Sequence, residues 1–139
     1  MLMGKFVHSL DAKKRLFIPA KHREQLGETF VITRNVDKCL SVFSLPEWEK
    51  YTEKLESLPS TQAREIARFI YSNAAEVQPD SQGRVLLPAE LLDYAGIEKS
   101  AVVVGCGRHA EIWSEELWNE RNSGEATGSL TEKMIELGF

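Results

Sequence analysis

The longest uninterrupted apolar run in this 139-residue chain is Ala101-Val102-Val103-Val104, far short of the ~20 residues a membrane-spanning helix needs. The opening Met1-Leu2-Met3-Gly4-Lys5 lacks the basic-then-apolar order of a secretory leader, so a cytosolic protein is expected. Cysteine is scarce. Cys39 and Cys106 are too few to staple a small scaffold and read as reduced thiols. The three histidines, His8, His22 and His109, show no metal-ligand spacing with either cysteine, and no metal site or cofactor is expected. No serine sits in a nucleophile elbow and no pair of carboxylates stands out, so no residue is assigned a catalytic role. Gly105-Cys106-Gly107-Arg108-His109-Ala110 resembles a phosphate-cradling loop only loosely. It lacks the third glycine and lies between two expected strands, which favours a plain hairpin turn.

What is present is an ordinary globular composition, 42% hydrophobic and 27% charged, with a net charge of −4. That total hides an asymmetry. Residues 1–34 hold seven Lys/Arg against three acids, whereas residues 111–139 hold two bases against seven acids. A basic end on an acidic chain points to an anionic partner for that end, or to a solvated basic face.

The chain repeats itself. Shifted by 69, residues 5–28 fall on 74–97, where Asp11 meets Asp80, Arg15 meets Arg84, Pro19 meets Pro88, Ala20 meets Ala89 and Gly27 meets Gly96. With one inserted residue the register continues, and Trp48 meets Trp118. Each copy reads as a short strand, a polar loop (D-A-K-K-R or D-S-Q-G-R) and a second strand (Leu16–Ile18 or Val85–Leu87). A helix from proline to glycine and a strand pair then follow. Ser44 and Ser114 stand where helix caps belong, and Ser44 to Glu47 has the capping-box spacing.

Between the copies, Trp48, Tyr51, Leu55 and Leu58, then Ala63, Ile66, Ala67 and Ile70, recur at helical spacing. They read as core or subunit packing, with a partner groove as the other reading. Residues 122–129 read as a linker to a short last helix bearing Leu130, Met134 and Leu137. A copy of about 45 residues is below the size that usually folds alone. The expectation is therefore an α+β protein whose two β-rich modules intertwine into one pseudo-symmetric, barrel-like core with helices outside. The divisions fall at 5–48, 49–73, 74–118 and 119–139.

The D-x-x-x-R loops carry the functional signal. A carboxylate there can accept bonds from the loop's backbone N–H groups or pair with the arginine, whose planar donors suit a phosphate or a guanine edge. Lys13 and Lys14 add charge to the first tip. A clasp that binds nothing is the other reading.

These residues resemble the MraZ family, whose modules belong to the swapped-hairpin AbrB/SpoVT class. The likeness covers roughly residues 1–120. It rests on G-K-F at 4–6, L-D-A-K-K-R-L at 10–16, I-P-A at 18–20, L-P-E-W at 45–48, D-S-Q-G-R-V-L-L-P at 80–88 and V-V-V-G-C-G-R-H-A-E-I-W at 102–113. The resemblance implies a sequence-specific DNA-binding regulator acting on the promoter of the division and cell-wall gene cluster that contains its own gene. It also implies a ring-shaped homo-oligomer with no membrane or small-molecule partner, located in the cytoplasm at the nucleoid. DNA contact falls on Lys13, Lys14, Arg15 and Arg84, with Asp11 and Asp80 organising the loops. Lys14 stands where the family often has glycine, which implies a slightly different tip. An antitoxin-like module with a toxin partner and an enzyme of unrecognised type remain as rival readings.

Overall fold

A computed structural model describes residues 1–139 and is α+β, with eight strands and six α-helices. The first copy contributes β1 (Lys5–Ser9), β2 (Arg15–Phe17), α1 (Ala20–Leu26), β3 (Phe30–Arg34), β4 (Leu40–Ser44) and α2 (Leu45–Glu53). A 3₁₀ turn, Lys54–Ser57, leads to α3 (Ser60–Tyr71). The second copy contributes β5 (Ala75–Val77), β6 (Arg84–Leu86), α4 (Ala89–Ala95), β7 (Ser100–Gly105), β8 (Ala110–Ser114) and α5 (Glu115–Arg121), and α6 (Gly124–Glu136) closes the chain.

The strands do not stay within their own copy. The six-stranded antiparallel sheet has the order β1-β7-β8-β4-β3-β5, so each copy's first strand pairs with the other copy's third. Exchanging each element for its repeat mate reverses that order onto itself. The register shows the same symmetry. In the separate β2–β6 ribbon Leu16 faces Val85, its mate at 69, while Arg15 faces Leu86 and Phe17 faces Arg84. At the sheet centre Ser41 faces Glu111, with Leu40 opposite Ile112 and Val42 opposite Ala110. The sheet ends on β1 and β5 and does not close, so the barrel-like core takes the form of an open sheet covered by the ribbon and the short helices.

Alternation explains the core. Phe30, Ile32, Leu40, Val42, Val103 and Ile112 project from the sheet onto Leu16 and Val85 of the ribbon and Leu91 of α4. Full burial of each such side chain is worth about 1.5–3 kcal/mol. Helices α1 and α4 have seven residues each and are too short to persist without this packing. Pro19 and Pro88 precede them in the same extended conformation, and Gly96 closes α4 in the left-handed region, with Ile97 N donating to the Leu92 carbonyl at 3.0 Å. Ser44 and Ser114 cap α2 and α5 by accepting from Glu47 N (3.4 Å) and Leu117 N (3.1 Å). The Glu47 carboxylate turns to Lys50 rather than back to the cap.

Two expectations change. The linker at 122–129 is helical from Gly124, held in part by Thr127 Oγ1 donating to Asn122 O and Thr131 Oγ1 donating to Thr127 O. Its glycines and serine obscure a helical period that Leu130 and Met134 carry only later. The apolar stripe of α2 and α3, expected to serve core or subunit packing, is mostly not core. Only Ile70 is buried, and Ile66 is exposed. Helix α3 is anchored at its C-terminal end, where the Phe69 carbonyl accepts from Arg34 Nη2 at 2.7 Å and the Ile70 carbonyl from Thr33 Oγ1 at 2.6 Å.

The N-terminal segment continues the antiparallel pairing of β1 along β7. Gly105 N donates to Gly4 O at 2.8 Å, and Leu2 and Gly107 exchange backbone bonds at 2.7 and 2.8 Å. A Cβ on Gly105 would lie 2.3 Å from the Met3 backbone nitrogen, and backbone cannot swing aside as a side chain does. Gly105→Ala is expected to cost about 1–3 kcal/mol, read as a lower urea midpoint at unchanged slope. An unchanged midpoint would contradict this close approach.

Candidate nucleic-acid interface

Each D-x-x-x-R loop is a tight turn closed by its own backbone. Asp11 N donates to Arg15 O (3.0 Å) and Lys14 N to Asp11 O (3.0 Å), and the second loop repeats this with Asp80 N to Arg84 O (2.8 Å) and Gly83 N to Asp80 O (2.9 Å). The aspartates organise the turns from inside. Asp11 Oδ1 accepts from Lys13 N and Arg15 N, and Asp80 Oδ1 from Gln82 N and Arg84 N, all at 2.9 Å. Both turns need a left-handed residue at the fourth position. Gly83 supplies it at φ 81° and Lys14 at φ 62°. The lysine therefore leaves the bond pattern of the tip unchanged and only adds backbone strain.

The loops are not independent. Because β2 and β6 pair antiparallel about Leu16 and Val85, Arg15 and Arg84 emerge on the same outer face of the ribbon. Arg15 Nε donates to Asp11 Oδ2 at 2.7 Å and Arg84 Nε to Asp80 Oδ2 at 3.1 Å. The pairs also cross, with Arg84 Nη1 at 3.3 Å from Asp11 Oδ2 and Arg15 Nη1 at 3.7 Å from Asp80 Oδ2. Two aspartates and two arginines thus form one quartet with no net charge. Each arginine keeps its Nη2 amino group free of protein partners, and Lys13 and Lys14 stand exposed beside them. Backbone N–H donation, led by Arg15 N at Asp11 and Arg84 N at Asp80, holds both carboxyls below the usual carboxylate range.

All six residues singled out by sequence therefore meet on one surface. Sequence reasoning missed Arg23. The exchange of strands sets the second loop against α1 of the first copy, and a Cβ on Gly83 would touch the Arg23 guanidinium at 2.8 Å. Arg23 Nε donates to the Ile18 carbonyl at 2.8 Å, and its guanidinium lies 5.6 Å from the Phe17 ring centre. The lysine-poor second tip thus has a cation from another element. Its repeat mate is Leu92, so the repeat itself carried no signal.

Elsewhere, Gly105–His109 is a hairpin turn, with Cys106 N donating to His109 O at 2.9 Å. The absence of metal-ligand spacing expected of the cysteines and histidines does not describe this turn. Donor atoms of Cys106, His109 and Glu111 all lie within 4.8 Å of one another. Two of the three groups sit on the turn, and the third, a carboxylate, sits on β8. No helix is long and apolar enough to cross a membrane.

The family described as "MraZ protein, putative antitoxin-like" matches the chain twice, over residues 1–68 and 70–134, stretches that start 69 residues apart, the offset of the internal repeat. The chain is 47% identical over 140 residues to a protein named transcriptional regulator MraZ from Carboxydothermus hydrogenoformans, covering 98% of each chain. It is 46% identical to one of the same name from Desulfitobacterium hafniense strain Y51 and 45% identical to one from Clostridium acetobutylicum, in both cases over the whole of each chain.

Two outcomes test the loop geometry. Lys14→Gly removes the left-handed lysine and should raise stability by about 1 kcal/mol, a gain in urea midpoint. A loss would mean that the Lys14 side chain contributes more than its backbone costs. The depressed Asp11 and Asp80 carboxyls stabilise the fold above the pKa of the unfolded chain, and that contribution is lost as pH falls through their folded values. Their contribution to stability should thus be level from about pH 8 to 5 and fall below about pH 4. The acid-side fall should be shallower in Asp11→Asn with Asp80→Asn, and equal slopes would remove these carboxyls from the acid transition.

Proposed function

This chain belongs to the MraZ family, and we propose that it is a sequence-specific DNA-binding transcription regulator whose contact surface is the coupled pair of D-x-x-x-R loops. The observation that carries this reading is the quartet. It spends no net charge, yet it holds two arginines on one face with a free Nη2 each, beside the exposed Lys13 and Lys14. A self-contained clasp would account for the aspartates but not for cations gathered at its rim from three segments, Lys13 and Lys14, the two arginines, and Arg23 of α1.

Roles divide by chemistry. Lys13 and Lys14 are point charges for phosphates. Arg15 and Arg84 each present one amino group while the quartet is closed. Bidentate reading of a guanine O6/N7 edge requires an arginine to release one carboxylate, and the crossed partner then compensates the aspartate left behind. Asp11 and Asp80 therefore hold the loops and set the arginine orientation. With so few phosphate contacts per chain, affinity comes from several chains engaging repeated sites together, and this suits an acidic protein. A homo-oligomeric ring supplies that multivalency. The apolar residues left uncovered on the outside, Ile66 and Tyr71 of α3 and Leu130 and Met134 of α6, suit contacts between copies. The target is the promoter of the division and cell-wall gene cluster that includes the chain's own gene, and the place of action is the cytoplasm at the nucleoid.

A mobility-shift titration on the DNA upstream of its own gene, with subunit number from native mass spectrometry, tests the reading. Cooperative binding is expected, lost in Arg15→Ala with Arg84→Ala while the oligomer persists. Arg15→Ala alone should cost about 1–3 kcal/mol and blunt sequence preference, whereas Lys13→Ala should weaken all sequences alike and lower the salt slope by about one. Equal loss on specific and random DNA for Arg15→Ala would remove its base-reading role. No preference of the intact protein for its own promoter over random DNA would favour a protein partner for these loops.

A further inference from the structure

The β7–β8 turn lies apart from the loop quartet and carries three donors of different chemistry. His109 Nε2 and Glu111 Oε2 are 3.4 Å apart. A tetrahedral zinc ion with bonds of about 2.0–2.1 Å to nitrogen and oxygen separates those two ligands by about 3.4 Å, so the pair already spans one edge of such a site. The Cys106 sulfur completes a group in which all donor atoms fall within 4.8 Å. Cys106 sits at the tip and is exposed, which leaves a fourth position open to water.

The surroundings hold the donors as a metal site requires. Glu111 Oε1 accepts from Trp113 Nε1 at 2.9 Å, and Oε2 accepts from Asn35 Nδ2 at 3.3 Å, so the carboxylate is oriented from its own strand β8 and from the β3–β4 turn. The His109 ring stacks on Phe43 with centres 5.6 Å apart. Outer contacts that orient ligating groups in this way are the usual support of a first coordination sphere. An ion pair between His109 and Glu111 would explain those two residues alone. It does not account for a thiol converging on the same point.

We propose that Cys106, His109 and Glu111 form a binding site for a borderline-soft divalent first-row cation, of which zinc is the natural fit. Sulfur and nitrogen donors disfavour magnesium and calcium, and one carboxylate with one imidazole and one thiolate suits a tetrahedral ion. Binding forms one bond to each of S, N and O and releases the thiol proton to solvent. Because the thiolate is the ligand, affinity rises with pH. The site ties the turn to β8 and is independent of the DNA-binding reading.

The full chain, kept reduced, is titrated with cobalt(II) and followed by its near-ultraviolet thiolate-to-cobalt absorption, with circular dichroism as a check on folding. One equivalent per chain should saturate the band, zinc should abolish it, and Cys106→Ser should lack it although Cys39 is intact. Glu111→Gln and His109→Gln should each weaken binding at least tenfold with unchanged dichroism. A missing band at saturating cobalt, or a band of equal strength in Cys106→Ser, overturns the proposal. Unchanged affinity in Glu111→Gln overturns the three-ligand set.

Discussion

The antiparallel pairing of β2 with β6, centred on Leu16 opposite Val85, is the contact on which the rest of this molecule depends. Both central side chains are fully buried and face the core, so the ribbon cannot slip by one residue without turning two apolar groups into solvent. The same alternation sends Arg15, Phe17, Arg84 and Leu86 outward. Backbone bonds just past the ribbon, Ile18 N to Gly83 O and Leu87 N to Lys14 O, tie each loop to the other copy's strand. Fold and candidate site are thus two faces of a three-residue strand pair, and the sheet's exchange of β1 and β5 holds the two copies in the register that this ribbon needs.

The electrostatics follow from that placement. In isolation each loop would be an Asp–Arg clasp with its charge cancelled. Bringing the two clasps together allows crossed pairing, so either arginine can leave one carboxylate without stranding it. Partly exposed ion pairs of this kind add little to stability. Their consequence is orientation, with each guanidinium held by the carboxylates and its Nη2 left without a protein partner. The net −4 of the chain says little about this surface, because the excess of acids lies away from it, seven against two bases over residues 111–139.

The β7–β8 hairpin is under a different constraint. On one side Gly105 admits the N-terminal segment at a distance no side chain would permit. On the other, the turn projects Cys106 and His109 toward Glu111. A residue pattern that reads as an ordinary Gly-rich turn therefore combines a packing requirement with a cluster of metal-ligating groups, and the two occupy opposite sides of the same strand end.

Local chemistry was legible in the sequence. The Asp-centred loops, the Pro-to-Gly helices, the Ser44 and Ser114 caps and the short strands all depend on residues within about eight positions of each other. Their physics is complete in a short window. The repeat, visible as Asp11 on Asp80 and Arg15 on Arg84, also foretold an intertwined pair. Tertiary structure alone decided which strand each edge would join, since β1 satisfies its hydrogen bonds equally well against any strand of matching alternation. It also decided that the loops would fuse into a quartet, that Arg23 would serve the opposite copy's loop, and that the α2 and α3 stripe would stay largely outside the core. Helix α6 was hidden because its glycines and serine read as a linker, while its helical bonds are made by the backbone and by threonine hydroxyls. The strand exchange, the quartet and the Arg23 contact rest on pairs between 43 and 99 positions apart in the chain, and such contacts have no signature in a local pattern.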